Sequence, residues 1–337
     1  MRFSALGDVA MTIPVLKAVL TSYPDLKITV VSKPFLKPLF ALIPEIRFVG
    51  ADINAKHKGV GGLFRLSKQL KALGVEAVAD LHDSLRTKIM RRCFFLFRMP
   101  VKIINKGKKE RWLLMQSKAK ELTPMKSVFK RYSDVFEALG FTIENTALKP
   151  FKQQKLPASC SALFAKKATK KIGLAPFAAH QGKMLPPKKL EELLQFLEKE
   201  KSWEIFLIGG GTQEVEALDT IAKGHERFRN MAGRFSFENE LAIISNLDAM
   251  IAMDSGNGHL SSLFGVPTIT LWGVTHPAMG FGPLLQPETN WFCADRTKYP
   301  KIPTSSSGSI LPKGYENAIE TLSIEAIIRR LHTILKT

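Results

Sequence analysis

At 337 residues, 45% hydrophobic and 23% charged, the chain is long enough for two domains and apolar enough to give each a core. No run of about 18 apolar residues occurs, which excludes a spanning helix, and the expectation is a chain without a secretory leader. Cys93, Cys160 and Cys293 are too scattered for a disulfide framework or a zinc spacing, pointing to a reducing cytoplasm, and the formal net charge of +19 points to an anionic partner.

In chain order, a polar cluster at Ser4–Asp8 comes first and leads directly into the apolar-periodic run VAMTIPVLKAVL. Asp8 thus sits at the mouth of a helix, either as an acid matched to the helix dipole or as a carboxylate aimed at a substrate. Strands are expected at 26–32, 75–81 and 101–105. From Arg86 to Arg131 there are 15 Lys or Arg against the two acids Glu110 and Glu121, a net of +13, interleaved with CFFLF and RWLLM. That stretch suits phosphates or an anionic membrane better than nucleic acid, for no recognition helix, zinc finger or RNP-type pattern is present. A helix over 130–141 ends in a glycine, and 146–159 reads as a linker.

The pattern then restarts, with strands at 170–176, 203–210, 249–255 and 267–273, and helices at 186–200, 212–222, 236–247 and 258–265. An amphipathic helix covers 323–335. Strands alternating with helices in two series predict an α/β protein of two Rossmann-like domains with a cleft between them.

In such sheets ligands bind beyond the carboxyl ends of strands, where strand-to-helix loops lie. Four loops qualify. Asp254-Ser255-Gly256-Asn257-Gly258-His259 would present backbone N–H groups and a helix dipole to a diphosphate, with Asp254 ordering the turn and His259 able to donate. Gly182-Lys183 precedes a proline-started helix and can bring a point charge to a phosphate. The glycines of FLIGGGTQEVEAL with Glu214 could hold a ribose, although they do not form the dinucleotide fingerprint. The fourth loop carries Asp8. No metal-binding motif and no nucleophile elbow accompanies them.

Read together, FSALGDVAMTIPVLKAV, LGVEAVADLHDSLRT, RYSDVFEALGF, IGLAPFAAHQGKMLPPKKLEELL, FLIGGGTQEVEAL and NMAGRFSFENELAIISNLDAMIAMDSGNGHLSSLFGVPTITLWGVTHP resemble the ADP-heptose:lipopolysaccharide heptosyltransferase family, glycosyltransferase family 9, over nearly the whole chain and in order. The resemblance implies a GT-B fold, two Rossmann-like domains facing across a cleft. It implies an acceptor-binding domain at 1–155, a nucleotide-sugar-binding domain at 156–318, and a terminal helix at 319–337 packing back on the first domain. It also implies inversion at the anomeric carbon without a metal or other cofactor, on a phosphorylated lipid or lipopolysaccharide acceptor, by a monomer at the inner face of the cytoplasmic membrane. Asp8 matches the proposed catalytic base and Lys183 the lysine supporting the donor diphosphate. Asp254, Ser255, Gly256 and His259 match the phosphate turn, Glu214 (or Glu216) the ribose contact, and Met231 the adenine pocket. Ser4, Gly7, Arg86, Lys88, Arg91 and Arg92 are expected on the acceptor side. Where the family has hydroxyl residues ahead of Lys183 this chain has Ala178 and Ala179, and only Met1-Arg2-Phe3 precede the first loop, so the first sheet is expected to lack a central strand. Two other classes remain open, a nucleotide-sugar epimerase on the same architecture and a basic anion- or membrane-binding module with a vestigial site.

Overall fold

A computed structural model describes residues 1–117, 122–144, 148–164 and 169–336; part of the expected linker, 146–147, lies outside them. The chain divides into two compact units, one of Met1–Lys106 with Ser127–Lys149 and the other of Gly107–Lys126 with Pro150–Thr337.

The first unit begins with extended Met1–Phe3 and continues through α1 (Leu6–Ala10), α2 (Thr12–Ser22), β1 (Thr29–Ser32), α3 (Lys37–Ala41), β2 (Arg47–Gly50), α4 (Gly59–Ala72), β3 (Val78–Asp80), α5 (Leu85–Leu96) and β4 (Val101–Ile103). β1 pairs with β2 and β3 with β4, both in parallel. The expected gap at the centre of this sheet is filled. Met1 donates its amino group to the Ala79 carbonyl at 2.7 Å and accepts from the Leu81 N–H at 3.2 Å, a parallel ladder in miniature. On the other side the Arg2 N–H donates to the Val31 carbonyl at 3.2 Å, and the Ser32 hydroxyl donates to the Arg2 carbonyl at 2.6 Å. Phe3 is buried among Val31, Val49, Val78, Met90 and Phe94. Three residues therefore do the work of a strand, in the order β2, β1, Met1–Phe3, β3, β4.

Next come α6 (Lys108–Gln116) in the second unit and α7 (Val128–Glu137) back in the first. The excursion departs from the uninterrupted first domain that the sequence suggests. Leu114 packs with Ala278 and Met279, and the Met125 N–H donates to the Ala278 carbonyl at 2.7 Å.

The second unit continues with α8 (Ala158–Ser161), β5 (Lys170–Ala175), α9 (Pro187–Lys199), β6 (Trp203–Leu207), α10 (Thr212–Gly224), β7 (Phe228–Asn230), α11 (Phe237–Ser245), β8 (Ala249–Met253), α12 (Gly256–Leu263), β9 (Thr268–Trp272), β10 (Trp291–Cys293) and α13 (Ile324–Lys336). Its six strands are all parallel, in the order β10-β9-β8-β5-β6-β7. Read from β7 this is the doubly wound order, which reverses direction between β5 and β8. Strands β5, β6, β8 and β9 are almost continuously buried, as a sheet covered on both faces requires.

The terminal helix, for which the resemblance implies packing back on the first domain, belongs to the second unit. Ile324, Ile327, Ile328 and Leu331 of α13 are buried in the same core as Leu193 and Leu197 of α9 and Ile205 of β6. Its apolar stripe is thus buried on the second unit's own sheet.

Candidate active-site loops

Each unit places its chemistry where its strand order reverses. In the first, the Ser4–Asp8 loop leaves Met1–Phe3 and the Asp80–Ser84 loop leaves β3. Asp8 lies in the first turn of α1, where its Oδ2 accepts from the Ala5 N–H at 3.3 Å. The Arg2 guanidinium forms an ion pair with the same carboxylate and donates to the Leu81 carbonyl at 2.8 Å, so the carboxylate is tied to both loops. The Asp8 side chain remains 26% exposed. From α7, the buried Tyr132 hydroxyl donates to the Asp8 carbonyl at 3.1 Å, and burial raises its pKa so that it keeps its proton. His82 stands beside this pair. The Phe3 N–H donates to its Nδ1 at 3.4 Å, and its ring meets Phe3 edge-on with centroids 5.6 Å apart. Burial, then the positive charges of Arg2 and Lys106, push its pKa down to about 4, which keeps the ring neutral.

Ser4 is half-buried and Gly7 buried within this loop. Ser84 caps α5, its hydroxyl accepting from the Thr87 N–H at 3.4 Å while the Thr87 hydroxyl accepts from the Ser84 N–H at 2.9 Å. Arg86, Lys88 and Arg92 are exposed on that helix. Arg91, on the same helix, is half-buried. Its Nη1 contacts Asp80 Oδ2 at 3.0 Å and Asp83 Oδ1 at 3.1 Å, so it ties α5 to the end of β3.

In the second unit the reversal lies between the loops after β5 and β8, and it brings Lys183 to Asp254. Lys183 Nζ is 2.8 Å from Asp254 Oδ2, each side chain 11% exposed, and the Thr275 hydroxyl donates to the same oxygen at 2.7 Å. The turn holding the lysine is tightly seated. The Val274 N–H donates to the Gly182 carbonyl at 2.9 Å, and a Cβ on Gly273 would lie 2.1 Å from that oxygen. Gly308, at φ +77, lies over the lysine stem, where a Cβ would come within 2.6 Å of Lys183 Cδ. The 304–309 loop therefore covers the Lys183 side chain.

Ser255 precedes α12 in extended conformation and makes no side-chain cap, although Gly256 and Asn257 open the helix behind it. Its Oγ is buried without a hydrogen-bond partner among the described residues. The first amides of α12 are thus left without a side-chain acceptor, an arrangement suited to an anion. His259 is buried in the first turn, and Gly258 lets the helix approach Thr270 and Ala252 closely. Burial and the Asp254 charge push the Cys293 thiol up to about 12, leaving it inert.

Glu214 sits at the opening of α10, its Oε2 accepting from the Gly210 N–H at 2.9 Å across the glycine turn. Glu216, the other acid considered, is exposed. Met231 is buried just after β7, its N–H donating to the Leu207 carbonyl at 3.0 Å. Sequence reasoning missed Arg2, Tyr132, His82, Thr275 and Gly308. Thr275 lies two residues past the strand expected at 267–273 and Arg2 two residues before Ser4, so only their partners, Asp254 and Asp8, draw attention to them. Among the described residues no group of three His, Cys, Asp or Glu side chains is placed to hold a metal ion.

Two doubly wound parallel units, each with charged groups gathered at its reversal, have counterparts among solved structures. A glycosyl transferase family 9 structure from Veillonella parvula aligns with a TM-score of 0.75 at 19% identity, covering 99% of this chain and 95% of that one. The E. coli heptosyltransferase WaaC with ADP aligns at 0.69 and 16% identity, covering 99% and 98%. The fold is GT-B. Among sequences, lipopolysaccharide heptosyltransferase 3 of Escherichia coli K12 is 25% identical over 283 residues, 80% of each chain. The sequence model of glycosyltransferase family 9 (heptosyltransferase) matches residues 63–309. The chain belongs to that family and is a glycosyltransferase.

Proposed function

We propose that the chain transfers a heptose from a nucleotide-diphosphate sugar, ADP-heptose in the first instance, to a phosphorylated lipid or lipopolysaccharide-core acceptor, with inversion and without a metal ion. The carrying observation is the Lys183–Asp254 pair beside the uncapped start of α12, in a chain whose relative is named a lipopolysaccharide heptosyltransferase and whose structural neighbour is described with ADP.

The acceptor hydroxyl attacks the anomeric carbon as the bond from that carbon to the diphosphate oxygen breaks. The hydroxyl proton passes to the Asp8 carboxylate, which Arg2 and the Ala5 N–H hold in place. The electron pair leaves with the diphosphate, whose growing charge is met by Lys183 and by the amides from Gly256 onward, with Ser255 Oγ donating. In this reading Asp254 and Thr275 fix the lysine, His259 assists at the phosphates, Glu214 takes the ribose and Met231 lines the adenine side. Ser4 and Gly7 shape the acceptor's approach, and Arg86, Lys88 and Arg92 meet its phosphates. The enzyme works as a monomer on the inner face of the cytoplasmic membrane.

Incubation of the purified chain with ADP-heptose and a heptose-free core acceptor in EDTA tests this. The expected result is acceptor-dependent heptose transfer with release of ADP. Conversion of the sugar nucleotide without acceptor would show an epimerase instead, and an untouched donor would overturn the reading.

A further inference from the structure

The outward face of α5 is of a kind that a helix meant only for water rarely carries. Thr87, Met90, Cys93 and Phe94 point into the first unit's interior. The opposite face runs Leu85, Lys88, Arg92, Phe95 and Leu96, the spacing of one helical stripe. Leu85 is 76% exposed, Phe95 80% and Leu96 72%. The helix contains no acid, and its exposed Arg86, Lys88 and Arg92 form no ion pair among the described residues. Lys88, Arg91, Arg92, Phe95 and Leu96 also line a depression of about 520 Å³.

We propose that this face of α5 is an interfacial docking helix for an anionic lipid bilayer, with Leu85, Phe95 and Leu96 entering the headgroup region and Lys88 and Arg92 bound to lipid phosphates. The occupant follows from the pattern. A protein partner's hot spot gathers its apolar groups at a dry centre with charges at the rim, whereas here cations and large apolar groups alternate along one stripe. That alternation fits an interface where acyl chains and phosphates lie within one side chain's length of each other. The charge of the same stretch of the first unit has the matching sign, with seven cations and no acid from Arg86 to Lys106. The long stems of Lys88 and Arg92 can lie along the apolar surface while their charged ends reach the phosphates. The inference deepens the proposed transfer by naming how the acceptor side meets the membrane, and in that respect it rests on that reading.

Sedimentation of the full chain with phosphatidylglycerol–phosphatidylethanolamine vesicles that contain no lipopolysaccharide tests the surface independently of chemistry. Binding is expected to anionic vesicles, to fall steeply with salt, and to be weak on phosphatidylcholine. K88E/R92E should weaken it by tens of fold, about fivefold or more per reversed charge, and F95S/L96S by about tenfold or more. Both variants should melt as the parent does, since the changed side chains are exposed. Equal binding to neutral and anionic vesicles, parental binding by both variants, or no vesicle binding at all, as expected were the stripe a protein or RNA surface, would each overturn the proposal. F95S/L96S should also transfer heptose to a deacylated, water-soluble acceptor at the parental rate but lose turnover on acceptor embedded in vesicles. Failure of the parent on the soluble acceptor would count against the transferase reading, while vesicle binding by itself judges the helix.

Discussion

The two units solve one geometric problem with opposite charges. At the first unit's reversal a carboxylate, Asp8, is held by a cation, Arg2; at the second a cation, Lys183, is held by a carboxylate, Asp254. The supports differ as well. Asp8 is left a quarter exposed, whereas Lys183 is shut beneath Gly308 and braced through Thr275. In the proposed transfer, the group that accepts a proton from an incoming hydroxyl needs open access. One that steadies a diphosphate gains from being fixed and dry, since a preorganised charge in a low-dielectric setting does more than one free in water.

The contrast can be broken most forcefully at Asp8. Asp8→Asn retains an oxygen for the Ala5 N–H yet cannot take a proton, and kcat should fall by about 10²- to 10⁴-fold with nucleotide affinity by calorimetry unchanged; parental turnover would end the base assignment. Lys183→Met acts on the other half. It leaves a buried carboxylate unpaired, for a stability loss of about 3 kcal/mol in chemical denaturation together with a fall in ADP affinity. K183M/D254N should recover most of the stability and none of the affinity, separating the two roles of the pair. His82 sharpens the description of the first unit through pH. Its folded pKa, about 4, lies below the unfolded value of about 6.5. Above pH 6.5 neither state holds the proton and stability is complete; as pH falls towards 4 only the unfolded chain takes it up and stability is lost. His82→Asn should lack that loss, so the two stability curves separate below pH 6.5 by about 1–2 kcal/mol, less than the full shift because the ring is partly solvated. The smallest effect is expected for Thr275→Val, which removes one hydrogen bond to Asp254, costs about 1 kcal/mol and weakens ADP modestly.

The second unit was the more legible in sequence. Its buried strands are five or six residues of nearly unbroken apolar character, and its loops carry glycines whose backbone geometry is specific, so β5, β6, β8 and β9 and the turn at Asp254–Gly258 follow from pattern. β2, β7 and β10 are as long as β1, β3 and β4 respectively, but their flanks (EIRFVG, HERFRN and TNWFCA) lack the β-branched runs of LKITVVS and VKIIN that mark a strand. The Met1–Phe3 ladder was illegible for a deeper reason, since its standing depends on hydrogen bonds to residues 31, 79 and 81 that no local signal announces. The same holds for α13, whose amphipathic stripe says that one face is buried but not against what.

Leu114, Met115, Leu122 and Met125 lie between the two parts of the first unit's chain yet pack with Ala278, Met279 and Phe281 of the second. As the polypeptide emerges from the ribosome, this stretch appears long before the partners it will cover. For that interval Leu114, Met115, Leu122 and Met125 have no apolar surface to join, while the N-terminal part of the chain can already collapse. The excursion is therefore a stretch that a chaperone would shield during synthesis until the chain near residue 280 has emerged.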